Sequence, residues 1–419
     1  MLPFLIESAE FALRWLHVIA AIAWIGESFY FVALDRGLKP PKQPLPGLAG
    51  ESWSVHGGGF YHKQKYMPAP SELPEDLHWS KWKAYTTWLS GFALISLLYF
   101  TAPALYLVDP SIAELSPTQA VVYAIGFLVA AWLVYDILCK VVGQRDQLLG
   151  ILVALLVLGL SYTATHLFAG RAAFVLVGAA MGGIMSANVF FVIIPGQKRM
   201  VAALSRKEAP NPLDGLRGKQ RSVHNTYFTL PVVFAMLSNH FAAAFAHPQS
   251  WLVLALFMAA GALIRQFFVL WHSGGRAWGL LVAGGALLII AFAWLAPKPP
   301  SPSPTPTPTT STSPSSATTS VATEPAPPAT TEAVHAILQQ RCTACHSAQP
   351  KLMATAPKGA MFDNIAEVER NAALIERQAV TLKIMPPGNI TKMTDDERNI
   401  IAQWFAKQTN ATPGTNSNP

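Results

Sequence analysis

The chain has 419 residues, of which 52% are hydrophobic and only 13% are charged. This composition excludes an ordinary soluble globular protein, in which roughly a quarter of the residues are charged. The excess of 30 Lys and Arg over 23 Asp and Glu permits a nucleic-acid partner, but the positions of these charges argue against one. Two of the three cysteines share one motif and Cys139 stands alone, so we expect no structural disulfide.

Eight apolar segments are each long enough to cross a bilayer as a helix, which takes about 20 residues. The first has no basic N-terminal region and no small-residue cleavage site, so we expect a retained span and no removed signal peptide. The sequence therefore predicts an all-α fold, a polytopic bundle of about eight transmembrane helices within residues 1–296. The spans are predicted at 11–34, 84–108, 119–138, 148–168, 172–194, 226–246, 251–271 and 278–296.

Positive charges alternate along the predicted connections between the spans. The loops 35–83 and 195–225 hold seven Lys or Arg residues each, whereas 109–118 and 247–250 hold none. By the positive-inside rule, the basic loops face the cytoplasm. Both termini are therefore predicted on the periplasmic side of a bacterial inner membrane. The excess of basic over acidic residues is then explained by membrane topology, and no nucleic-acid partner is expected.

Several histidines are predicted at membrane depth, where ionisable groups are functional candidates. At a rise of about 1.5 Å per residue they fall in two layers, and this suits one or two non-covalent b-type haems with two imidazole ligands each. The other interpretation is that each histidine hydrogen-bonds to a neighbour or marks an interface. His17 is the best single candidate for a haem ligand, because Arg14, Trp24 and Glu27 lie on or near its helical face. The outer layer comprises His17, His166 and His240, and the inner layer comprises His78, His224 and His272.

The predicted cytoplasmic loop 51–83 combines aromatic residues, histidines and the glycines Gly57, Gly58 and Gly59. Glycine lets a backbone approach a flat ligand closely, and aromatic rings stack on such a ligand. The segment is predicted to be a substrate or cofactor loop. The alternative is a structural loop that caps the bundle.

The remainder of the chain differs in composition from the bundle. Residues 297–332, rich in Pro, Ser and Thr, predict a disordered linker, and residues 409–419 predict a disordered tail. Residues 333–408 predict a small helical domain of the cytochrome c type. Its closing helix is expected to begin at Thr394, which is a good N-cap and is followed by three acidic residues.

The most specific motif of the chain is Cys342-Thr343-Ala344-Cys345-His346, which is typical of covalent haem c attachment. The two thiols bind the haem and His346 supplies one axial ligand. A zinc or redox CxxC is the alternative, but a second CxxC is absent from the sequence. Because haem c is attached outside the cytoplasm, the motif predicts the same topology as the positive charges do.

Met385 is predicted to be the second axial ligand of that haem. It lies in Lys383-Ile384-Met385-Pro386-Pro387-Gly388, where prolines favour an extended loop that can present a thioether to iron. The competing ligands are Met353, Met361 and Met393.

Together these features resemble one known family. The opening Trp15-Leu16-His17, the loop motif Val55–Tyr61, the sequence Leu77-His78-Trp79, the eight spans and the tethered haem motif are similar to the integral-membrane urate hydroxylases (PuuD-type urate oxidases). The resemblance covers nearly the whole chain except the linker. It implies oxidation of urate to 5-hydroxyisourate, with electrons leaving through haem c to the respiratory chain. A soluble or membrane cytochrome, or a terminal oxidase, would accept them.

The implied chemistry suggests roles for particular residues. Hydroxylation of urate with water removes two electrons and two protons. Haem c takes one electron at a time, so two sequential transfers or further buried carriers are needed. Candidate bases for the protons are His56, His62 and Glu51. Arg265 or Lys65 is a candidate cation for binding the urate anion.

Two other functions remain open at the level of sequence. One is a haem-based transmembrane electron conduit that oxidises quinol or another donor and has no purine site. The other is a transporter with a fused cytochrome. Urate-dependent reduction of the haem separates the first from a urate oxidase, and substrate flux without haem reduction identifies the second.

Overall fold

A computed structural model describes residues 2–296, 329–352 and 356–410. Most of the predicted linker and nearly all of the predicted tail lie outside these residues, as does Met353. The chain divides into two compact units with a boundary near Ala291. Each is described by itself below.

The first unit is a helical bundle with one β-hairpin. Sequence signals place several helix ends: Ser116 and Gln119 form a reciprocal capping box at the start of α4, and Gly143, with φ of +65°, ends that helix. The elements are α1 Leu2–Gly37, β1 Leu48–His56, β2 Gly59–Tyr66, α2 Trp82–Ile95, α3 Pro103–Tyr106, α4 Pro117–Val142, α5 Asp146–Thr165, α6 Gly170–Ala187, α7 Ile194–Ser205, α8 Pro212–Leu237, α9 Ala242–Phe245, α10 Ser250–Trp271 and α11 Trp278–Leu295.

Six helices within the described residues are long and apolar enough to cross a membrane, which confirms the predicted helical bundle. Two of the eight predicted spans form interrupted helices. Segment 84–108 runs as α2 and a π-helical turn, Ser96–Phe100, and then breaks before α3. In segment 226–246, α8 ends at Leu237, and a 3₁₀ turn precedes the short α9. Each break falls inside an apolar run, so hydropathy alone did not locate it.

Helices α6 and α8 lie at the centre of the bundle, where α4, α5 and α10 pack around them. Small residues allow their close approach. A Cβ added at Gly178 of α6 would lie 3.0 Å from the Cβ of Ala235 on α8. By contrast, α1, α4, α5 and α11 carry many exposed large apolar side chains, as expected for helices that face lipid.

A β-hairpin occupies part of the predicted loop 51–83, although the sequence predicted no strand. β1 and β2 pair antiparallel, with Trp53 opposite His62 and His56 opposite Gly59. Gly57 and Gly58 have φ of +59° and +80°, which is the backbone of a primed two-residue turn. These two glycines therefore serve the turn itself.

The second unit contains α12 Thr331–Arg341, α13 Ile365–Arg370, α14 Ala372–Ile375 and α15 Asp395–Asn410. α15 begins where the sequence predicted, because Thr394 and Glu397 form the reciprocal hydrogen bonds of a capping box. Ile401 and Trp404 of this helix belong to the core of the unit. Arg341 and Glu397 tie α12 to α15 through a paired contact, with Nε of Arg341 3.0 and 3.1 Å from the carboxylate oxygens.

Candidate functional site

The predicted haem attachment residues lie at the end of α12 and in the turn that follows. Cys342 and Cys345 are free thiols, and the backbone N–H of His346 donates to the carbonyl of Cys342 at 2.8 Å. Nδ1 of His346 lies 2.9 Å from the carbonyl oxygen of Ala360. Because a carbonyl can only accept, Nδ1 carries the hydrogen and Nε2 keeps its lone pair. This is the tautomer that a metal-ligating histidine needs.

Met385 lies in a loop that a buried arginine fixes. Arg398 of α15 is 6% exposed. Its Nη1 donates to the carbonyl of Met385 at 2.9 Å and also to the carbonyl of Ala379. The competing ligand Met393 is buried in the core of the unit, which favours Met385 over it. The residues present therefore fit a c-type haem held by two thiols, His346 and Met385, although these axial roles remain predictions.

His17 has the most defined surroundings of the histidines predicted at membrane depth. Its Nδ1 lies 3.0 Å from the carbonyl oxygen of Thr87 and 3.1 Å from the hydroxyl of Ser90, both on α2. A Cβ at Gly91 would come within 2.8 Å of the ring, so the glycine makes room for it. The carbonyl contact assigns the hydrogen to Nδ1 and leaves Nε2 free to bind a metal.

The other five predicted haem-binding histidines are spread over the first unit. His166 stacks on Tyr162 with 4.0 Å between ring centroids, and His224 contacts the hydroxyl of Tyr135 at 2.7 Å. His78 is exposed and precedes α2, His240 is exposed in the 3₁₀ turn after α8, and His272 caps α10. In the described parts of the chain, no hydrogen bond or ring contact joins two of these six histidines. The two-layer haem arrangement stays a prediction.

The hairpin brings two of the predicted base residues together. Nε2 of His62 lies 2.9 Å from a carboxylate oxygen of Glu51, and the imidazole stacks on Trp53 at 4.3 Å with the ring planes 9° apart. The backbone N–H of Lys42 and the His62 imidazole hold the pKa of Glu51 below its ordinary value. An ionised carboxylate that orients an imidazole is a suitable general-base pair. His56 stands apart, exposed at the hairpin turn.

The two candidate cations differ in their surroundings. Lys65 pairs with Asp35 at 2.6 Å, so its charge is already compensated. Arg265 of α10 is 3% exposed, and Nε and Nη2 of its guanidinium have no hydrogen-bond partner within the described residues. The guanidinium lies over the ring of Phe29 on α1, 4.0 Å from the centroid. The structure thus favours Arg265 as the cation with capacity to bind an anion.

Sequence reasoning missed two members of another polar cluster in the bundle. Tyr135 of α4 accepts a hydrogen bond from Asn188, and the guanidinium of Arg221 on α8 lies over the Tyr135 ring. The available signal was the spacing of Arg221, His224 and Asn225, which places three polar residues on one face of α8.

Long apolar helices around buried polar groups define a polytopic helical bundle compatible with a multi-pass membrane protein. The model of the urate oxidase N-terminal family matches residues 3–296, so the chain belongs to this family. It is therefore a urate oxidase-related protein, and the family supports urate-related oxidation. No curated protein and no solved structure matches the chain. The match covers the first unit and does not include the haem motif.

Proposed function

We propose that this protein is a membrane-bound urate hydroxylase. It converts urate and water to 5-hydroxyisourate, and the electrons leave through haem c to a cytochrome or terminal oxidase of the respiratory chain. Family membership supports the substrate, the apolar helices support the bilayer, and the Cys342–His346 motif with its free Nε2 supports the haem. When bound, that haem supplies a one-electron acceptor.

The observation that carries the proposal is the guanidinium of Arg265. A buried cation without hydrogen-bond partners is costly, and it persists where a ligand supplies the missing acceptors. Urate is a flat anion at neutral pH, and two guanidinium nitrogens bind two adjacent acceptors of such an anion. Tyr227 and Gln266, hydrogen-bonded to each other, add polar groups on the same side of α8 and α10. Arg265 thus serves as the urate anchor in this proposal.

Two further groups have subsidiary roles. The Glu51–His62 pair accepts a proton if the hairpin closes over the substrate. His17, with Nε2 free, is the best placed ligand for a b-type haem in the bundle. Within residues 2–296, 329–352 and 356–410 the structure describes no group of three or more His, Cys, Asp or Glu side chains that could hold a metal ion.

The experiment uses the purified full-length chain. A pyridine haemochrome spectrum counts c-type and b-type haem, and anaerobic addition of urate tests for reduction of the haem band. Arg265→Gln removes about two charge-assisted hydrogen bonds of roughly 1.5–3 kcal/mol each. Because the glutamine amide can still make part of these contacts, we expect a loss at the lower end of this range. Urate affinity should then fall about 100-fold, since each 1.4 kcal/mol is a factor of ten.

Arg276→Gln is the matched control, because Arg276 is exposed in the connection between α10 and α11. Arg265→Lys keeps the positive charge but loses the planar guanidinium that binds two acceptors at once, so it should retain only part of the urate affinity. A colourless protein with both thiols alkylatable refutes the haem assignment. Haem reduced by quinol but not by urate supports the electron conduit instead.

A further inference from the structure

A second polar cluster joins α8 to α4 and to the π-helical turn that follows α6. The hydroxyl of Tyr135 lies 2.7 Å from Nδ1 of His224 and accepts from Nδ2 of Asn188 at 3.0 Å. The same amide nitrogen donates to Oδ1 of Asn225 at 2.9 Å. Arg221 lies over the Tyr135 ring, 4.9 Å from its centroid. Three side chains, those of His224, Asn188 and Arg221, thus contact Tyr135, and Asn225 joins the cluster through Asn188.

Two atoms of this cluster lack hydrogen-bond partners within the described residues: Nη1 of Arg221, a donor, and Oδ1 of Asn188, an acceptor. Both side chains are buried, at 4% and 0% exposed. An unpaired donor and an unpaired acceptor on groups that contact one hydroxyl are the partners that an internal water requires. Asn188 also begins the π-helical turn Asn188–Ile193, a distortion that is frequent at functional sites.

The hydrogen-bond directions in the cluster follow from one backbone carbonyl. Nδ2 of Asn225 donates to the carbonyl of Met185 at 3.1 Å, so Oδ1 of Asn225 must face Asn188. Asn188 therefore presents its amide nitrogen to both Asn225 and Tyr135. Because the Tyr135 oxygen accepts from Asn188, its own hydrogen is directed to Nδ1 of His224, and the ring hydrogen of His224 is on Nε2. With neither nitrogen free for iron, His224 acts here in proton transfer and not as a ligand of the predicted inner haem. The chain of donors runs from fully buried Tyr135 to half-buried His224.

We propose that Tyr135 and His224 form a proton relay that drains the active site of the bundle, starting from an internal water held by Arg221 and Asn188. The inference rests on the proposed urate oxidation. Urate and water give 5-hydroxyisourate, two protons and two electrons. Tyr227 interacts electrostatically with Arg265, and the side chains of Tyr227 and His224, three residues apart on α8, are neighbours on the helix surface. Protons released near Arg265 therefore arise close to the relay.

Each relay step balances without electrons. A proton released from the substrate is taken up by the internal water, which passes one of its own protons to Tyr135 and so stays neutral. On Tyr135 a new O–H bond forms while the former O–H bond breaks, and an Nδ1–H bond forms on His224. The Nε2–H bond of His224 then breaks and releases one proton to solvent. Exchange with solvent returns the ring hydrogen from Nδ1 to Nε2, so the relay operates twice for each urate. The ionisable groups around the pair lie on three helices: Arg221 on α8, Asp136, Cys139 and Lys140 on α4, and Asp146 on α5.

Two substitutions and one control test the relay in the full-length protein, reconstituted in phosphatidylcholine vesicles. Tyr135→Phe keeps the ring and removes the hydroxyl. His224→Gln keeps an acceptor for the hydroxyl but cannot pass a proton, so it preserves a structural hydrogen bond and abolishes a relay. Tyr123→Phe, on the exposed face of the same helix, is the control. Urate-dependent haem reduction is followed anaerobically across pH, in H₂O and in D₂O.

We expect both variants to slow kcat about 100-fold, within the usual range for general acid–base groups, with KM for urate nearly unchanged and an altered pH profile. The wild type should turn over more slowly in D₂O. A His224→Gln variant with wild-type rate and pH profile overturns the relay while the proposed function stands, and so do equal wild-type rates in the two solvents. A wild type that urate does not reduce overturns both.

Discussion

The amides of the loop that carries Met385 should exchange their hydrogens with solvent faster when Arg398 is replaced by Met. The side chain is nearly the same length, but both hydrogen bonds from Nη1, to the carbonyls of Ala379 and Met385, disappear. Hydrogen bonds from a charged donor contribute roughly 1.5–3 kcal/mol each, and the abandoned carbonyls are left in a buried setting. Removing the guanidinium also removes the free-energy cost of burying its charge, and this offsets part of the loss. We therefore expect the loop to lose about 2 kcal/mol of local stability.

Hydrogen exchange on the full-length protein measures this loss directly. The amides of Ile384 and Met385 both donate to the carbonyl of Gln378, at 3.0 and 3.1 Å, so the peptide that contains them reports opening of the loop. A loss of about 2 kcal/mol speeds their exchange roughly 30-fold, since each 1.4 kcal/mol is tenfold. Arg370→Gln, an exposed arginine on α13, should leave the peptide unchanged. Unaltered exchange in Arg398→Met would refute the reasoning that this arginine fixes the loop.

Three other outcomes follow from the structure. The hydrogen bonds that lower the pKa of Glu51 stabilise the hairpin at pH values above the ordinary carboxyl pKa of 4.5. This stabilisation is lost as the pH falls through the lowered pKa of Glu51 in the folded protein. Trp fluorescence should therefore change below pH 4.5 in the wild type but not in Glu51→Gln. Gly178→Leu should separate α6 from α8 and cost about 1–3 kcal/mol in thermal unfolding, whereas Gly182→Leu, with open space around its Cβ position, should cost little. Gly91→Ala should displace the imidazole of His17 and lower any b-type haem content without affecting haem c.

The glycines of the hairpin have a local structural role that the sequence alone did not indicate. Three glycines beside aromatic residues suggested close approach to a flat ligand. The positive φ angles of Gly57 and Gly58 show that two of them form the turn. The strands were available in principle from the alternation of Trp53 and Val55 with polar residues before a Gly-Gly pair.

The breaks in two predicted spans have a different origin. Hydropathy measures the length of an apolar run, and both runs are long enough to cross a bilayer. The π-helical turn that continues α2 ends at Phe100, before Pro103. Helix α8 starts at Pro212 in a basic, polar segment and ends at Leu237. Where a helix starts and stops depends on caps and packing partners as much as on apolar length.

The sequence alone determined the features that are local along the chain. Apolar runs located the helices, the capping residues located the start of α15, and five consecutive residues indicated a haem c site. Only the tertiary structure decided which side chains meet: Glu51 with His62, Tyr135 with Asn188 and His224, and Arg265 with Phe29, while Nε and Nη2 of Arg265 have no hydrogen-bond partner among the described residues. These contacts join residues 11 to 236 positions apart. Periodicity reports the face on which a side chain lies, whereas its partner depends on how whole elements pack.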